Sequence, residues 1–239
     1  MAINTEKMLE KMWSMVGLLP EGDREYIAAM VEKREVAPSK YATSSSIAVE
    51  LIIELQDAIR ADGAKKVGKT EALRAAKRVL SNHPVSAKPA FGFVKTIGEY
   101  QYFTDGYRGF KLKDHLPLPE LPEGWDTMDL EPVIANAASG DVELELPDLG
   151  ALKAYIKMEK ARLKAEGRHR EGVRYDFGPG LPLVNAEYLA DMLILLPGCK
   201  ARVKKGYMIN PLFFESDGNS AVLLPVRPGD DAGRVKTQL

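Results

Sequence analysis

Two stretches of this chain follow one plan, and that repeat constrains the fold more than any other feature. In the first, Leu73, Ala76, Val79 and Leu80 fall at helical spacing and predict a helix over 70–80. The period then shortens to two: "AFGFVKTI", "YQYFTD" and "YRGFKL" read as three consecutive short strands ending near residue 112. In the second, "VNAEYLADMLILLPG" predicts a helix from about Ala186 to Leu196, stopped by Pro197-Gly198. Three strands follow it to about residue 226, in "CKARVKK", "YMINPLFFES" and "SAVLLPVR". Each copy carries an Asp-Gly turn before its third strand, Asp105-Gly106 and Asp217-Gly218. Repetition at this scale implies one α+β domain with a pseudo-two-fold axis, its two helices side by side against sheets on their other face.

The segments around the repeat are of different character. Residues 4–34 predict two short helices broken at Pro20. They resemble the helical tails that follow some phage-type repressor domains, and by themselves read as a packing or oligomerisation hairpin. "APSKYATSSS" is linker-like. Ile47, Leu51, Leu55 and Ile59 then recur four apart on an amphipathic helix, followed by a loop in "ADGAKKVGK". The expected organisation is a helical region over 1–62, the repeated domain over 63–228 and a disordered tail over 229–239. An insertion at about 114–170 separates the copies. It contains the Pro-rich stretch "HLPLPELPEGW", expected to be extended, and a strand in "VELELPDL". A long helix over 149–165 follows, bearing Lys153, Lys157, Lys160, Arg162 and Lys164. "GVRYDFG" closes the insertion side as a strand.

Charge and chemistry narrow the function. The chain has 239 residues and a net charge of −1, so any polyanion has to be met by a local basic patch. A lone cysteine, Cys199, allows no internal disulfide, and no apolar run approaches a membrane span. The expected setting is cytoplasmic, with no membrane partner. No phosphate-binding glycine loop is present. His83, His115 and His169 lie far apart, without metal-type spacing. The expectation is a protein that is not an enzyme and uses no cofactor or metal.

The motifs within the repeat carry a family likeness. "TDGYR" (104–108), placed after a helix of the form "ALRAAKRVLS", resembles the "TDG-aromatic/His-Arg" turn of the bacterial DNA polymerase sliding clamp, the beta subunit. "VNAEYLADMLILLPG" is similar to the clamp helix F-N-x-x-Y-L-x-x-x-L, and "AVLLPVR" to the closing clamp strand ending in M-P-M-R. The likeness runs from about Lys65 to Arg227, in clamp order, with the insertion unmatched. A clamp chain contains three such domains, and this one has room for one.

What the resemblance implies is a non-catalytic protein of DNA replication or repair, of the kind a phage or mobile element encodes. Clamp helices present bases to duplex DNA without reading sequence. Here the candidates are Lys69, Arg74, Lys77 and Arg78 on the first helix. The lysine stripe Lys153, Lys157, Lys160 and Lys164 in the insertion joins them by its own spacing. Clamps also bind short peptides of polymerases and repair proteins in an apolar pocket. By motif its walls would be Thr104, Gly106, Tyr107 and Arg108, and Leu224, Pro225, Val226 and Arg227. In the family those walls belong to neighbouring domains, so a one-domain chain is expected to join them by homo-oligomerisation. The alternatives are a regulatory or DNA-binding protein that has lost the clamp role, and a protein-interaction module with a clamp-like surface.

Overall fold

The computed structural model describes residues 4–36, 43–82, 89–169, 171–206 and 209–226. The expected disordered tail, His83 and Arg227 lie outside the described residues. The chain divides into two compact units at Leu73/Arg74, with Leu116–Leu118 and Pro122–Trp125 belonging to the first unit. Among the described residues no helix is long and apolar enough to cross a membrane.

The first unit is helical. Helix α1 (Thr5–Val16) is capped by Asn4, whose side chain accepts from the Lys7 N–H, and α2 (Glu21–Lys33) restarts after Pro20. Helix α3 (Ser44–Lys66) is opened by Thr43 and Ser46 in a reciprocal capping box. Val16, Ile27, Val31, Val49 and Ile52 form the unit's apolar cluster. Two expectations change here. The helix does not stop before "ADGAKKVGK" but runs through Gly63 to Lys66, with Ala64 buried and Asp62 paired to Lys66 one turn on. The buried face of α3 is also not the stripe of residues four apart. Val49 and Ile52 are buried, while Ile47 and Leu51 are exposed. A continuous apolar arc on a helix shows that a face is wide, and only the neighbours choose which part of it is covered.

The second unit is built on an antiparallel sheet. Helix α4 (Thr70–Ser81) enters it from Arg74 onward. A 3₁₀ turn at Pro89–Gly92 precedes β1 (Lys95–Ile97), β2 (Tyr100–Thr104) and β3 (Arg108–Leu112). After α5 (Glu131–Ala138), β4 (Val142–Leu144) and α6 (Leu149–Ala165) comes a separate hairpin of β5 (Arg174–Asp176) and β6 (Leu183–Asn185). Helix α7 (Ala186–Leu195) then leads to β7 (Lys200–Val203), β8 (Leu212–Ser216) and β9 (Asn219–Leu223).

The main sheet has seven strands in the order β1-β2-β3-β9-β8-β7-β4, every pairing antiparallel. The two meanders therefore meet through their third strands, with Phe110 opposite Ala221 and Arg108 opposite Leu223. Strand alternation gives the sheet two buried faces. On one, α5 packs Leu130, Ile134 and Ala137 over Tyr102, Phe213 and Val222. On the other lie Phe103 and Phe110, stacked at 4.9 Å, with Phe214, Ala221 and Leu223. Helix α7 packs against β9 and β6. Full burial of Phe110 or Phe214 stabilises the unit by about 1.5–3 kcal/mol each.

The insertion holds two elements not expected from its sequence. Helix α5 is only eight residues long with Pro132 in its first turn, so it offers little more than two turns of periodicity. The Pro-rich stretch is not free of regular pairing: Leu121 donates to the Val94 carbonyl at 2.7 Å and Val94 donates to Pro119 at 2.9 Å. "AFGFVKTI" yields only three strand residues, because its first half winds into the 3₁₀ turn.

Candidate functional site

The turn between β2 and β3 is organised by its own side chains. The Thr104 hydroxyl donates to the Arg108 carbonyl at 2.6 Å and accepts from Gly106 N–H at 2.9 Å. Asp105 Oδ1 accepts from the Tyr107 and Arg108 N–H groups at 2.9 and 2.7 Å, an Asx-type closure. Gly106 sits at φ +85°, the left-handed region that favours glycine, and a Cβ there would just touch the Phe91 ring at 3.4 Å.

Arg108 then points inward. Its side chain is 1% exposed and is bonded at both ends of its guanidinium. Nε donates to Asp105 Oδ2 at 3.0 Å, and Nη1 donates to Asp191 Oδ2 of α7 at 2.5 Å. Arg78, from the last turn of α4, donates to the other oxygen of Asp191. Asn82 donates to Asp105 Oδ2 at 3.0 Å and to the Tyr188 hydroxyl at 2.6 Å. The Tyr188 ring covers Arg108, with Cζ 4.0 Å from its centroid. Two carboxylates and two guanidiniums thus balance in charge within one cluster. That cluster ties the end of α4, the β2–β3 turn and α7 together. Replacing such a cluster by apolar groups is close to neutral, but removing one member strands a buried charge.

Beside this cluster lies an exposed apolar surface. Tyr107 is 46% exposed and Leu224 is 37% exposed. The Leu224 N–H donates to the Tyr107 carbonyl at 2.9 Å, extending the β3–β9 ladder by one step. Tyr107 and Tyr188 rings stand 6.2 Å apart. Pro225 and Val226 continue the surface half-buried, and Val226 N–H donates to the Leu183 carbonyl at 2.7 Å. Tyr188 is set in place by the α7 cap, where Asn185 Oδ1 accepts from the Glu187 and Tyr188 N–H groups.

The sequence-predicted residues therefore separate. Tyr107, Leu224, Pro225 and Val226 share one surface. Thr104 and Arg108 are buried beneath it and face the protein's own groups, so Arg108 does not present its guanidinium to a bound peptide. The expectation that the two walls are joined only by homo-oligomerisation is overturned. They are neighbours in one chain, because the meanders join through the strands that carry them. Tyr188 and Asn82 were not anticipated. The tyrosine of "NAEYL" was visible as part of the helix motif, whereas Asn82 carries no sequence signal.

The candidate basic residues separate too. On α4, Arg78 pairs with Asp191 while its side chain stays exposed, Lys69 and Lys77 are half-buried and engaged, and Arg74 is exposed. On α6, Lys153, Lys157, Lys160 and Lys164 are all exposed. Among the described residues, no group of three His, Cys, Asp or Glu side chains is placed to hold a metal ion. Cys199 is half-buried, and burial pushes its thiol up to about 11, away from thiolate chemistry. No family model, curated protein or solved structure matches the chain.

Proposed function

We propose that the second unit is a non-catalytic, sliding-clamp-like recognition domain of DNA metabolism. It captures short peptides of polymerases or repair proteins on the surface of Tyr107, Tyr188, Leu224 and Val226. The observation that carries this reading is the 2.9 Å hydrogen bond from Leu224 to Tyr107. It joins, in one chain, the two motif stretches whose resemblance suggested a peptide pocket. The mirrored strand order of the two meanders supports the same reading.

The chemistry suits a short apolar ligand. Tyr107 offers a flat wall at a turn that its neighbours hold rigid, so little ordering is needed on binding. Each apolar anchor buried there contributes about 1.5–3 kcal/mol. The Tyr188 hydroxyl accepts from Asn82 and, among the described residues, donates to no side chain or backbone group, which leaves its proton for a ligand acceptor.

The test is titration of a labelled synthetic peptide with Leu and Phe anchors into the full chain and into Tyr107→Ala. The expected result is micromolar binding to the parent, weakened at least tenfold in the variant, with the melting temperature nearly unchanged. Absence of saturable binding to the parent, or equal binding by a well-folded variant, would overturn the reading.

A further inference from the structure

We propose that the open face of α3 is a self-association surface, against which a second copy of this chain packs its own α3 in the antiparallel direction. Helices α1 and α2 cover one side of α3, where Val49 and Ile52 join Val16, Ile27 and Val31 in the apolar cluster. At about 100° per residue, Ile47, Leu51, Leu55 and Ala58 fall within an arc of about 80° on the other side. Ile47 is 50% exposed and Leu51 42%, Ala58 is exposed and Leu55 half-buried. The apolar residues that recur four apart in the sequence thus begin the face that the chain's own helices leave open.

The two halves of this face differ in size and in charge, and each half suits the other rather than itself. The N-terminal half is bulky and acidic, with Ile47, Leu51 and Leu55 beside Glu50 and Glu54 on one edge. The C-terminal half is small and basic, with Ala58 and Ala61, and Lys65 near the same edge. Glu50, Glu54 and Lys65 are exposed and, among the described residues, stand in no ion pair, whereas Asp62 is paired with Lys66 at 3.0 Å. A two-fold axis between antiparallel helices brings equal edges together. With that axis near Gln56, Leu51 of one copy lies over Ala58 and Ala61 of the other, and Glu50 comes within reach of Lys65 on both sides of the axis. The opposed helix dipoles favour the same direction. A parallel pair would set bulky against bulky and acid against acid.

The size of the face sets the strength of the contact. Helix α3 has 23 residues. At 1.5 Å per residue and a width of about 10 Å it offers about 350 Å². That is under half of the about 800 Å² per partner found in standard stable interfaces, so the dimer is a reversible one. This inference does not depend on peptide capture, since the α3 face and the Tyr107 surface share no residue.

The experiment is sedimentation equilibrium of the full chain over a concentration series at low and physiological salt. A monomer–dimer dissociation constant of about 10–100 µM is expected from a contact of this size. Ile47→Glu with Leu51→Glu is expected to weaken dimerisation at least tenfold, with the melting temperature of the dilute protein nearly unchanged. Ile47→Ser with Leu51→Ser serves the same test with a smaller loss if the charges disturb folding. Glu50→Lys is expected to weaken dimerisation about fivefold at low salt, by setting lysine against Lys65 at both ends of the contact. Adding Lys65→Glu to that chain is expected to restore the parent constant to within twofold. A parent that stays monomeric throughout the series would overturn the proposal. So would undiminished dimers of a folded Ile47 and Leu51 variant, or a Glu50→Lys loss that Lys65→Glu does not restore. A dimer abolished instead by Tyr107→Ala would place the contact in the second unit and overturn it.

Discussion

The two Asp-Gly turns of this chain have the same local chemistry and opposite fates. Asp217-Gly218 joins β8 to β9 at the sheet margin, with both residues exposed and Asp217 itself at φ +48°. Asp105-Gly106 precedes β3, and Asp105 is fully buried, bonded to two backbone N–H groups, to Arg108 and to Asn82. A turn motif specifies a reversal of the chain in both places. Only at the first does it also position a charge in the interior, because only there do α4 and α7 supply partners. The two meanders meet in one sheet, and only the first contributes its Asp-Gly turn to the ion cluster.

Removing the buried cation should break this comparison most sharply. Arg108→Ala leaves Asp105 and Asp191 without their shared partner and is expected to cost about 3–5 kcal/mol, read from denaturant unfolding. Asp217→Asn at the exposed turn is expected to change stability by under about 0.5 kcal/mol. Comparable losses at both sites would mean that the ion cluster contributes nothing beyond turn formation.

The glycines give a finer contrast. Gly106 and Gly218 sit at φ +85° and +81°, so alanine at either is expected to cost about 1 kcal/mol or more for the backbone alone. Gly106→Ala also presses a methyl group toward Phe91, whereas the space at Gly218 is open. Thermal melts of the two variants should rank Gly106→Ala as the more damaging. The reverse order would place the tight packing elsewhere.

A smaller effect is expected from pH, away from both turns. Hydrogen bonds from Lys111 and Tyr102 hold the Glu131 carboxyl below its ordinary value of 4.5. A carboxyl shifted down on folding stabilises above 4.5, and that contribution is lost as pH falls through its folded value. Glu131→Gln should therefore lower stability slightly at neutral pH and flatten the acid side of the stability–pH curve, leaving the neutral slope unchanged. An unchanged acid limb would show that the Tyr102–Glu131–Lys111 contact is not maintained in solution.

Much of the fold was legible. The helix over 149–165 matches α6 end to end, because Asp148 caps it and its periodicity spans several turns. Helix α7 begins where Asn185 caps it, as "VNAEYL" implies. The six meander strands were visible from alternation. Short elements were not. Helix α5 and strand β6 are too brief for a period to register, and they form because the sheet face and β5 await them.

The candidate site was legible by residue and not by arrangement. Tyr107 and Leu224 could be named from their motifs, yet which strands the meanders would join through is a long-range choice that no local pattern encodes. By itself the sequence determined where the meanders turn, where the long helices and the meander strands lie, and that α6 carries lysines three and four residues apart. Only the tertiary structure decided that Arg108 is a buried cation and Tyr107 an exposed wall. Which residue beside a turn is buried depends on what packs there. Here α7 brings Asp191 to the Arg108 guanidinium and sets the Tyr188 ring beside Tyr107 while leaving Tyr107 half exposed, so two neighbours in sequence acquire unrelated roles.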